Sequence, residues 1–243
     1  MGKIIVGNWK MNVGPLAQVR DWARAISLPS AVEVVLSPST PFLSTVSAAV
    51  EGTNVKVSAQ DCSSQPEGAF TGDVSASMLK DVGVSYVIIG HSERRQGHGE
   101  TSDDVRKKAA QAIKAGLIPI ICIGESEQER TQGKAMDVVR KQVMESIPDE
   151  ATKGKILLAY EPVWAIGSGK TPSADDIRQM HGHILSVAAQ RTGLAPERIS
   201  VLYGGSVKAD NAAGIMAVPG VAGVLVGGAS LKLEEFNSIL RAA

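Results

Sequence analysis

Three residues that can take up, donate or stabilise a proton each follow a different apolar segment of the chain. They are Lys10, His91 and Glu161. An ammonium, an imidazole and a carboxylate gathered in one place supply the groups needed to remove a proton next to a carbonyl. Any one of them is equally well explained as the polar start of a loop, so the hypothesis depends on a fold that brings all three together.

Glycines are grouped near the end of the chain, where two more apolar segments stop. Gly204-Gly205-Ser206 follows one segment, and Gly227-Gly228 follows the next. Glycines there allow backbone N–H groups to approach an anion, and a helical segment starting near Leu231 adds a favourable dipole. Such glycines can also be simple tight turns, but their occurrence in this pair of positions favours a phosphate site.

A third glycine group, Gly167–Thr171, invites a nucleotide-binding interpretation, which the neighbouring residues exclude. Trp164 stands where a Walker A loop requires its first glycine, and Pro172 stands where the dinucleotide fingerprint requires its last. Neither nucleotide cofactor is supported. The stretch 162–173 begins beside Glu161 and carries apolar residues that need burial, which is typical of a lid that closes over a substrate.

Eight short apolar segments rich in β-branched residues recur along the chain. Their apolarity is continuous rather than alternating, which predicts strands buried on both faces, as in a parallel sheet. The predicted strands are Ile4–Asn8, Glu33–Ser37, Val55–Gln60, Tyr86–Gly90, Ile118–Ile123, Ile156–Glu161, Ile199–Gly204 and Gly223–Val226.

Predicted helices lie between these strands, and the alternation sets the fold class. The clearest helices are Pro15–Leu28, Asp103–Ala115, Glu129–Ile147 and Ala174–Thr192. Eight strand–helix units in 243 residues predict an α/β fold with a single (β/α)8 barrel domain spanning residues 1–243. A doubly wound open sheet is the alternative. In a barrel the carboxyl ends of the strands meet at one mouth, which would bring the proposed chemical groups together.

Charge and composition exclude several classes of function. The chain has 25 Lys and Arg against 25 Asp and Glu, so it lacks the basic excess that nucleic-acid or membrane-surface binding requires. We expect no signal peptide and no membrane span. Cys62 and Cys122 have no metal-ligand spacing, so we expect a reduced, cytoplasmic protein.

One connection is too long for a minimal barrel. Residues 61–75 follow the third predicted strand without helical or strand periodicity, and they include Phe70 and Thr71 between glycines. Loops of this length in a compact domain are usually functional or disordered. The loop is therefore either a surface excursion or a protrusion that docks on another subunit.

Several other polar residues receive simpler interpretations. No function is assigned to His98, His181 or His183. Cys122 is expected to be buried in a strand, and Glu125 is expected to form an ion pair. Ser92 is predicted to cap a helix whose N-terminus faces the preceding histidine, which would favour a neutral imidazole.

The chain resembles the triosephosphate isomerase family. The resemblance is carried, in the order of the family, by Gly7–Asn12, Ile89–Arg95, Ala159–Gly167, Tyr203–Val207 and Val226–Leu231. These segments span the chain, and their joint occurrence is highly specific. The resemblance implies interconversion of dihydroxyacetone phosphate and D-glyceraldehyde 3-phosphate through an enediolate, in glycolysis and gluconeogenesis, without a cofactor or a metal.

The resemblance also implies residue roles. Glu161 would be the base, His91 the electrophile, Lys10 a positive charge and Asn8 a polar contact beside the substrate. Glu93 is expected to support the site from behind these residues. Backbone amides would hold the phosphate at Gly167, Ser206, Gly227 and Gly228.

The resemblance gives the long loop a role as well. The segment containing Phe70 and Thr71 resembles the part of the family that inserts into a neighbouring subunit, close to the partner's Asn8 and the partner's Lys10. A homodimer is therefore expected, with residues 61–75 as the dimerisation loop.

Two other functions remain open on the sequence. A different phosphate-binding barrel isomerase would share the glycine loops, although it would not be expected to share Lys10, His91, Glu161 and the lid in this order. A catalytically silent relative would keep the fold, although the three intact chemical groups argue against it.

Overall fold

The predicted strands form and pair in chain order into a closed parallel barrel, which confirms the fold class and excludes the open sheet. The computed structural model describes residues 2–26, 32–153, 155, 157–167 and 170–243. Ile156, the predicted start of the sixth strand, lies outside these ranges. The strands are β1 (Ile4–Asn8), β2 (Glu33–Ser37), β3 (Val55–Ala59), β4 (Tyr86–Ile89), β5 (Ile118–Ile123), β6 (Leu157–Tyr160), β7 (Ser200–Tyr203) and β8 (Gly223–Val226).

The strands are buried on both faces because side chains alternate between the barrel interior and the helix layer. In β1, Ile4 and Val6 belong to the interior cluster, whereas Ile5 belongs to the larger cluster under the helices. This two-sided burial explains why the strands read as continuous apolar runs. The barrel interior is filled by Ile4, Val6, Val35, Tyr86, Ile88, Ile120, Cys122, Leu157, Ala159, Leu202 and Leu225.

The barrel closes where β1 pairs with β8, with Ile4 opposite Gly223. A Cβ atom at Gly223 would lie 1.9 Å from the carbonyl oxygen of Ile4, so only glycine permits this approach. The ammonium of Lys3 donates to the carbonyls of Met216 and Val221, both at 2.7 Å. The close backbone approach at Gly223 and the hydrogen bonds of Lys3 thus join the two ends of the chain where the barrel closes.

Helices surround the barrel on its outer face. In the described part of the chain the α-helices are α1 (Val19–Ala25), α2 (Leu43–Val50), α3 (Ala76–Asp81), α4 (Ser92–Gly97), α5 (Ser102–Lys114), α6 (Glu127–Thr131), α7 (Ala135–Ser146), α8 (Ala174–Thr192), α9 (Ala212–Met216) and α10 (Leu233–Arg241). None of these helices has both the length and the apolar character that crossing a bilayer would require.

Local caps fix where several helices begin and end. Thr101, Ser126 and Ser173 each form a reciprocal capping box with an acidic residue three positions later. Gly193 ends α8 in the left-handed conformation at φ 70°. The bounds of α8 are those predicted from the sequence.

Two predicted helices differ from the structure. The single helix expected over Glu129–Ile147 is wrong, because the chain turns at Gly133 with φ 70° and forms α6 and α7 instead. The helix expected over Pro15–Leu28 is shorter, covering Val19–Ala25, and Leu28 lies outside the described residues.

His181 is fully buried between α8 and the barrel. Its Nδ1 lies 3.2 Å from the carbonyl oxygen of Gly220. Its ring meets Tyr160 edge-on at 5.9 Å and stacks on Tyr203 at 6.5 Å. Burial lowers the pKa of His181 to about 4, so the imidazole is neutral at physiological pH.

We expect His181 to make the fold sensitive to acid. The unfolded chain binds this proton near the ordinary pKa of 6.5, whereas the folded protein binds it only near 4. Between those values the unfolded state holds more protons, so stability decreases as the pH decreases. Between pH 6.5 and 4, His181 should lower the free energy of unfolding by up to about 1.4 kcal/mol for each unit of decrease in pH.

The matched variant is His181→Asn, which removes the titrating ring and retains a donor for the Gly220 carbonyl. Urea unfolding, measured at several pH values by circular dichroism, should give a shallower dependence on pH for the variant. Parallel curves for the variant and the wild type would contradict the assignment.

Candidate active site

A cavity of about 230 Å³ opens at the carboxyl ends of the strands. It brings together Asn8, Lys10, His91, Glu161, Gly167, Ser206, Gly227 and Gly228, the residues expected to bind and convert the substrate. Parallel strands position these residues because their ends converge at one mouth. The cavity is also lined by Ile166, Gly204, Gly205, Val207, Lys208, Leu225, Ala229 and Glu235.

The Glu161 carboxylate is buried, with only 2% of its side chain exposed, and is hydrogen-bonded at one oxygen. Oε2 accepts a hydrogen bond from the backbone N–H of Ser92 at 2.9 Å. Oε1 lies 2.8 Å from Nε2 of His91, although the two atoms make no aligned hydrogen bond. The backbone N–H at the start of α4 therefore supports the negative charge.

Two glycines pack against Glu161, Gly124 against its backbone and Gly204 against its side chain. A Cβ atom at Gly124 would lie 1.7 Å from the Glu161 carbonyl oxygen, and one at Gly204 would lie 3.0 Å from its Cγ. The N–H of Glu161 also donates to the carbonyl of Ile123 at 2.8 Å. The backbone of Glu161 is therefore tightly packed against its neighbours in this conformation.

His91 itself caps α4, which corrects the prediction that Ser92 is the cap. Its Nδ1 accepts a hydrogen bond from the N–H of Glu93 at 3.2 Å. Because Nδ1 is the acceptor, the neutral ring carries its proton on Nε2, the nitrogen nearest Glu161. The imidazole therefore presents a donor toward the cavity.

Two opposing effects act on the protonation of His91. Burial lowers the pKa of the imidazole, but the neighbouring Glu161 carboxylate, with a smaller contribution from Glu93, raises it above its ordinary value. The neutral bias expected from the N-terminus of α4 is therefore outweighed while Glu161 lies beside the ring.

Lys10 reaches the site through an unusual backbone. Its φ is 51°, a left-handed value that costs a non-glycine residue energy. Asn8 stabilises the turn, since its Oδ1 accepts a hydrogen bond from the Lys10 N–H at 3.0 Å. The Lys10 carbonyl accepts further hydrogen bonds from Ser39 at 2.7 Å and Gln60 at 2.9 Å. Sequence reasoning missed Ser39 and Gln60 because neither is near Lys10 in the chain.

Glu93 links the two charged groups of the site. Its Oε1 lies 2.5 Å from the Lys10 ammonium, and its Oε2 lies 3.7 Å from Nδ1 of His91. Glu93 does not line the cavity itself but contacts two residues that do. The ion pair holds the Lys10 side chain at the cavity.

Glycine-rich turns form another part of the cavity wall, beside that formed by His91 and Glu161. Residues Gly228–Leu231 form a single 3₁₀ turn directly after Gly227. A Cβ atom at Gly227 would lie 3.4 Å from Cε of Lys10, so the lysine side chain passes close to this turn. Backbone N–H groups at such turns are suited to a small anion.

The segment after Glu161 is fixed at one end by a buried carboxylate. Trp164 donates from Nε1 to Oε1 of Glu125 at 2.9 Å, and Tyr160 donates to the same oxygen at 3.1 Å. Arg130 lies 3.4 Å from Glu125 and 4.7 Å from the centre of the Trp164 ring. Glu125 forms the expected ion pair, and it also holds Trp164, which the sequence did not indicate.

The segment after Glu161 directly contacts the loop that carries Ser206. The Ser206 hydroxyl donates to the carbonyl of Ala165 at 2.7 Å. Gly167 has φ 66°, and the next two residues, Ser168 and Gly169, lie outside the described residues. Movement of the segment would therefore break or shift this hydrogen bond with Ser206.

Other candidate residues lie away from the cavity. Phe70 is 46% exposed, and neither Phe70 nor Thr71 lines the cavity of its own chain. Cys62 and Cys122 are both free and buried. Across the residues that the structure describes, no group of three His, Cys, Asp or Glu side chains is placed to hold a metal ion.

Comparisons with known proteins agree along nearly the whole chain. The family model described as triosephosphate isomerase matches residues 3–243. A relative named triosephosphate isomerase from Acidiphilium cryptum is 47% identical, covering 100% of this chain and 99% of that protein. One of the same name from Xanthobacter flavus is 45% identical over 98% and 96% of the two chains. A solved triosephosphate isomerase from Bartonella henselae superimposes with a TM-score of 0.91 at 39% identity, covering 100% and 99%.

We expect the variant Glu161→Gln to lower the pKa of His91. The substitution removes the nearby negative charge that raises this pKa and keeps an oxygen for the Ser92 N–H. A pH titration of the histidine ring signals by NMR measures the change. The matched variant Glu93→Gln should lower the pKa less, because Glu93 makes the smaller contribution. A His91 pKa that is unchanged in Glu161→Gln would disprove the proposed coupling.

Proposed function

The chain belongs to the triosephosphate isomerase family, whose members interconvert dihydroxyacetone phosphate and D-glyceraldehyde 3-phosphate in glycolysis, and we propose that Glu161 and His91 carry the proton chemistry of this isomerase. The observation that supports these roles is their contact, 2.8 Å apart, at the wall of a cavity whose other wall is glycine-rich. The base and the donor thus face the space that a phosphorylated triose would occupy.

The reaction begins when Glu161 takes a proton from C1 of dihydroxyacetone phosphate. To reach that carbon, the carboxylate gives up its hydrogen bond from the Ser92 N–H. The electron pair of the broken C–H bond forms the carbon–carbon double bond of an enediolate. Excluding water from the site prevents loss of this intermediate.

His91 and Lys10 stabilise the oxygen that becomes negative. The Nε2–H of His91 donates a hydrogen bond to the carbonyl oxygen, and Lys10 places its positive charge beside it. Proton transfer between the two oxygens follows, and Glu161 returns its proton to C2 to give D-glyceraldehyde 3-phosphate. Atoms and charges balance without an external reagent.

The phosphate group is held by backbone N–H groups rather than by many cations. We assign this role to Gly167, Ser206, Gly227 and Gly228, which line the cavity together. Residues 162–173 act as the lid, with Trp164 as its anchor on Glu125. Closing the lid would bring the Gly167 amide to the phosphate.

We also assign the chain to a homodimer in the cytoplasm. Large apolar side chains are exposed at Met11 (95%), Val13 (57%), Phe70 (46%) and Met78 (55%), which is surface that a second copy would bury. The loop 61–75 is the segment that would dock into the partner. Two free, buried thiols suit a reducing compartment.

A coupled assay on D-glyceraldehyde 3-phosphate tests the role of Glu161. The variant Glu161→Asp withdraws the carboxylate by one methylene, and a misplacement of about 1 Å should lower kcat by about 100-fold. The variant Glu51→Asp makes the same change at an exposed glutamate outside the cavity and should behave as wild type. Full activity in Glu161→Asp would show that Glu161 is not the catalytic base. An inactive wild-type protein would instead indicate that the chain is a catalytically silent relative.

The variant Thr71→Arg tests the dimer. A long cation placed in the docking loop should weaken association and activity together, measured by sedimentation velocity and turnover. The control Thr152→Arg makes the same change at an exposed threonine outside the loop. If Thr71→Arg matches the wild type in both measurements, residues 61–75 do not form the subunit contact.

A further inference from the structure

Two charged residues at the rim of the phosphate cavity have no part in the chemistry assigned above. Lys208 and Glu235 both line the cavity. Lys208 is exposed and Glu235 is half-buried. In the part of the chain that the structure describes, neither side chain takes part in an ion pair, in contrast to the 2.5 Å pair between Lys10 and Glu93.

The backbone of Lys208 is fixed beside the phosphate loop. Its N–H donates to Oδ1 of Asn211 at 2.8 Å, and its carbonyl accepts from the N–H of Ala212 at 3.0 Å. The Asn211 amide also donates to the carbonyl of Ser206 at 3.2 Å. The turn therefore fixes the backbone of Lys208 beside the loop that carries Ser206, and its side chain lines the cavity.

Glu235 also lines the cavity, and it lies on a helix that packs closely on the barrel. It lies in the first turn of α10, and the next residue, Phe236, is fully buried. A Cβ atom at Gly7 would lie 3.1 Å from the Phe236 ring, which shows how closely α10 packs on β1. This packing holds the helix that carries Glu235 beside the cavity.

The charges that line the cavity indicate how Lys208 and Glu235 would affect phosphate binding. Lys10 is already paired with Glu93, so among the described lining residues Lys208 is the unpaired ammonium. Glu235 adds a negative charge on the same lining, where a phosphate dianion would be repelled by it. A unit charge about 8 Å from a dianion changes affinity about sixfold in water.

We propose that Lys208 and Glu235 set the affinity for the phosphate group with opposite signs, Lys208 strengthening binding and Glu235 weakening it. The inference rests on the proposed function, because it takes the glycine-lined cavity as the phosphate site. Neither residue touches the reacting carbons. Their effects should therefore appear in KM and in inhibition by anions more than in kcat.

The experiment measures the inhibition constant of inorganic phosphate and the KM for D-glyceraldehyde 3-phosphate at low ionic strength. Lys208→Gln should raise both by about three- to tenfold, and Glu235→Gln should lower both by about two- to fivefold. Lys208→Arg keeps the charge and should restore wild-type values. At about 1 M salt the differences should vanish, because the screening length falls to about 3 Å.

Neighbouring residues supply matched controls. Lys232 and Glu234 are exposed, lie close in sequence and do not line the cavity. Lys232→Gln and Glu234→Gln should therefore change both constants less than Lys208→Gln and Glu235→Gln do.

Two kinds of failure can be told apart. A wild-type protein that neither turns over the triose phosphate nor is inhibited by phosphate would reject the proposed function. If the wild type is active but Lys208→Gln and Glu235→Gln shift the constants in the same direction, or no more than their controls, only the present inference is overturned.

Discussion

The burial of the Glu161 carboxylate is the constraint on which the mouth of the barrel depends. A charged group removed from water is costly unless other groups replace its hydration. Here the Ser92 N–H donates to one carboxylate oxygen, and Nε2 of His91 lies 2.8 Å from the other; both residues stand at the start of α4. The placement of α4 at the end of β4 is therefore a condition for holding this carboxylate beside the cavity.

Much of the architecture could be predicted from the sequence, because strands buried on both faces leave a strong local pattern. The bounds of β1, β2, β5 and β8 were predicted as observed, and those of α8 as well. The break between α6 and α7 could not be predicted with the same security, since an isolated glycine such as Gly133 is tolerated within a helix at a cost of about 1 kcal/mol. Here it adopts φ 70° and turns the chain.

The residues that carry the chemistry of the site could be predicted from the sequence, but the contacts between their side chains could not be predicted. Residue types and strand ends indicated Lys10, His91 and Glu161. The pair between Lys10 and Glu93 joins residues 83 positions apart, and the bond between Trp164 and Glu125 joins residues 39 apart. Contacts of this kind depend on the closed barrel and on side-chain direction, which local patterns do not encode. The same holds for His91, whose role as the cap of α4 follows from a backbone turn at Gly90 with φ 68°.

The glycines beside Glu161 have a consequence for how such a site can be studied. Alanine scanning usually asks what is lost when atoms are removed, but at Gly124 and Gly204 it adds a methyl group against Glu161 itself. A loss of activity at these positions would report the volume that the base requires, not a missing functional group. The tolerance of this site to sequence change is thus set in part by residues that have no side chain, and a search for active-site residues by chemical type alone would pass over them.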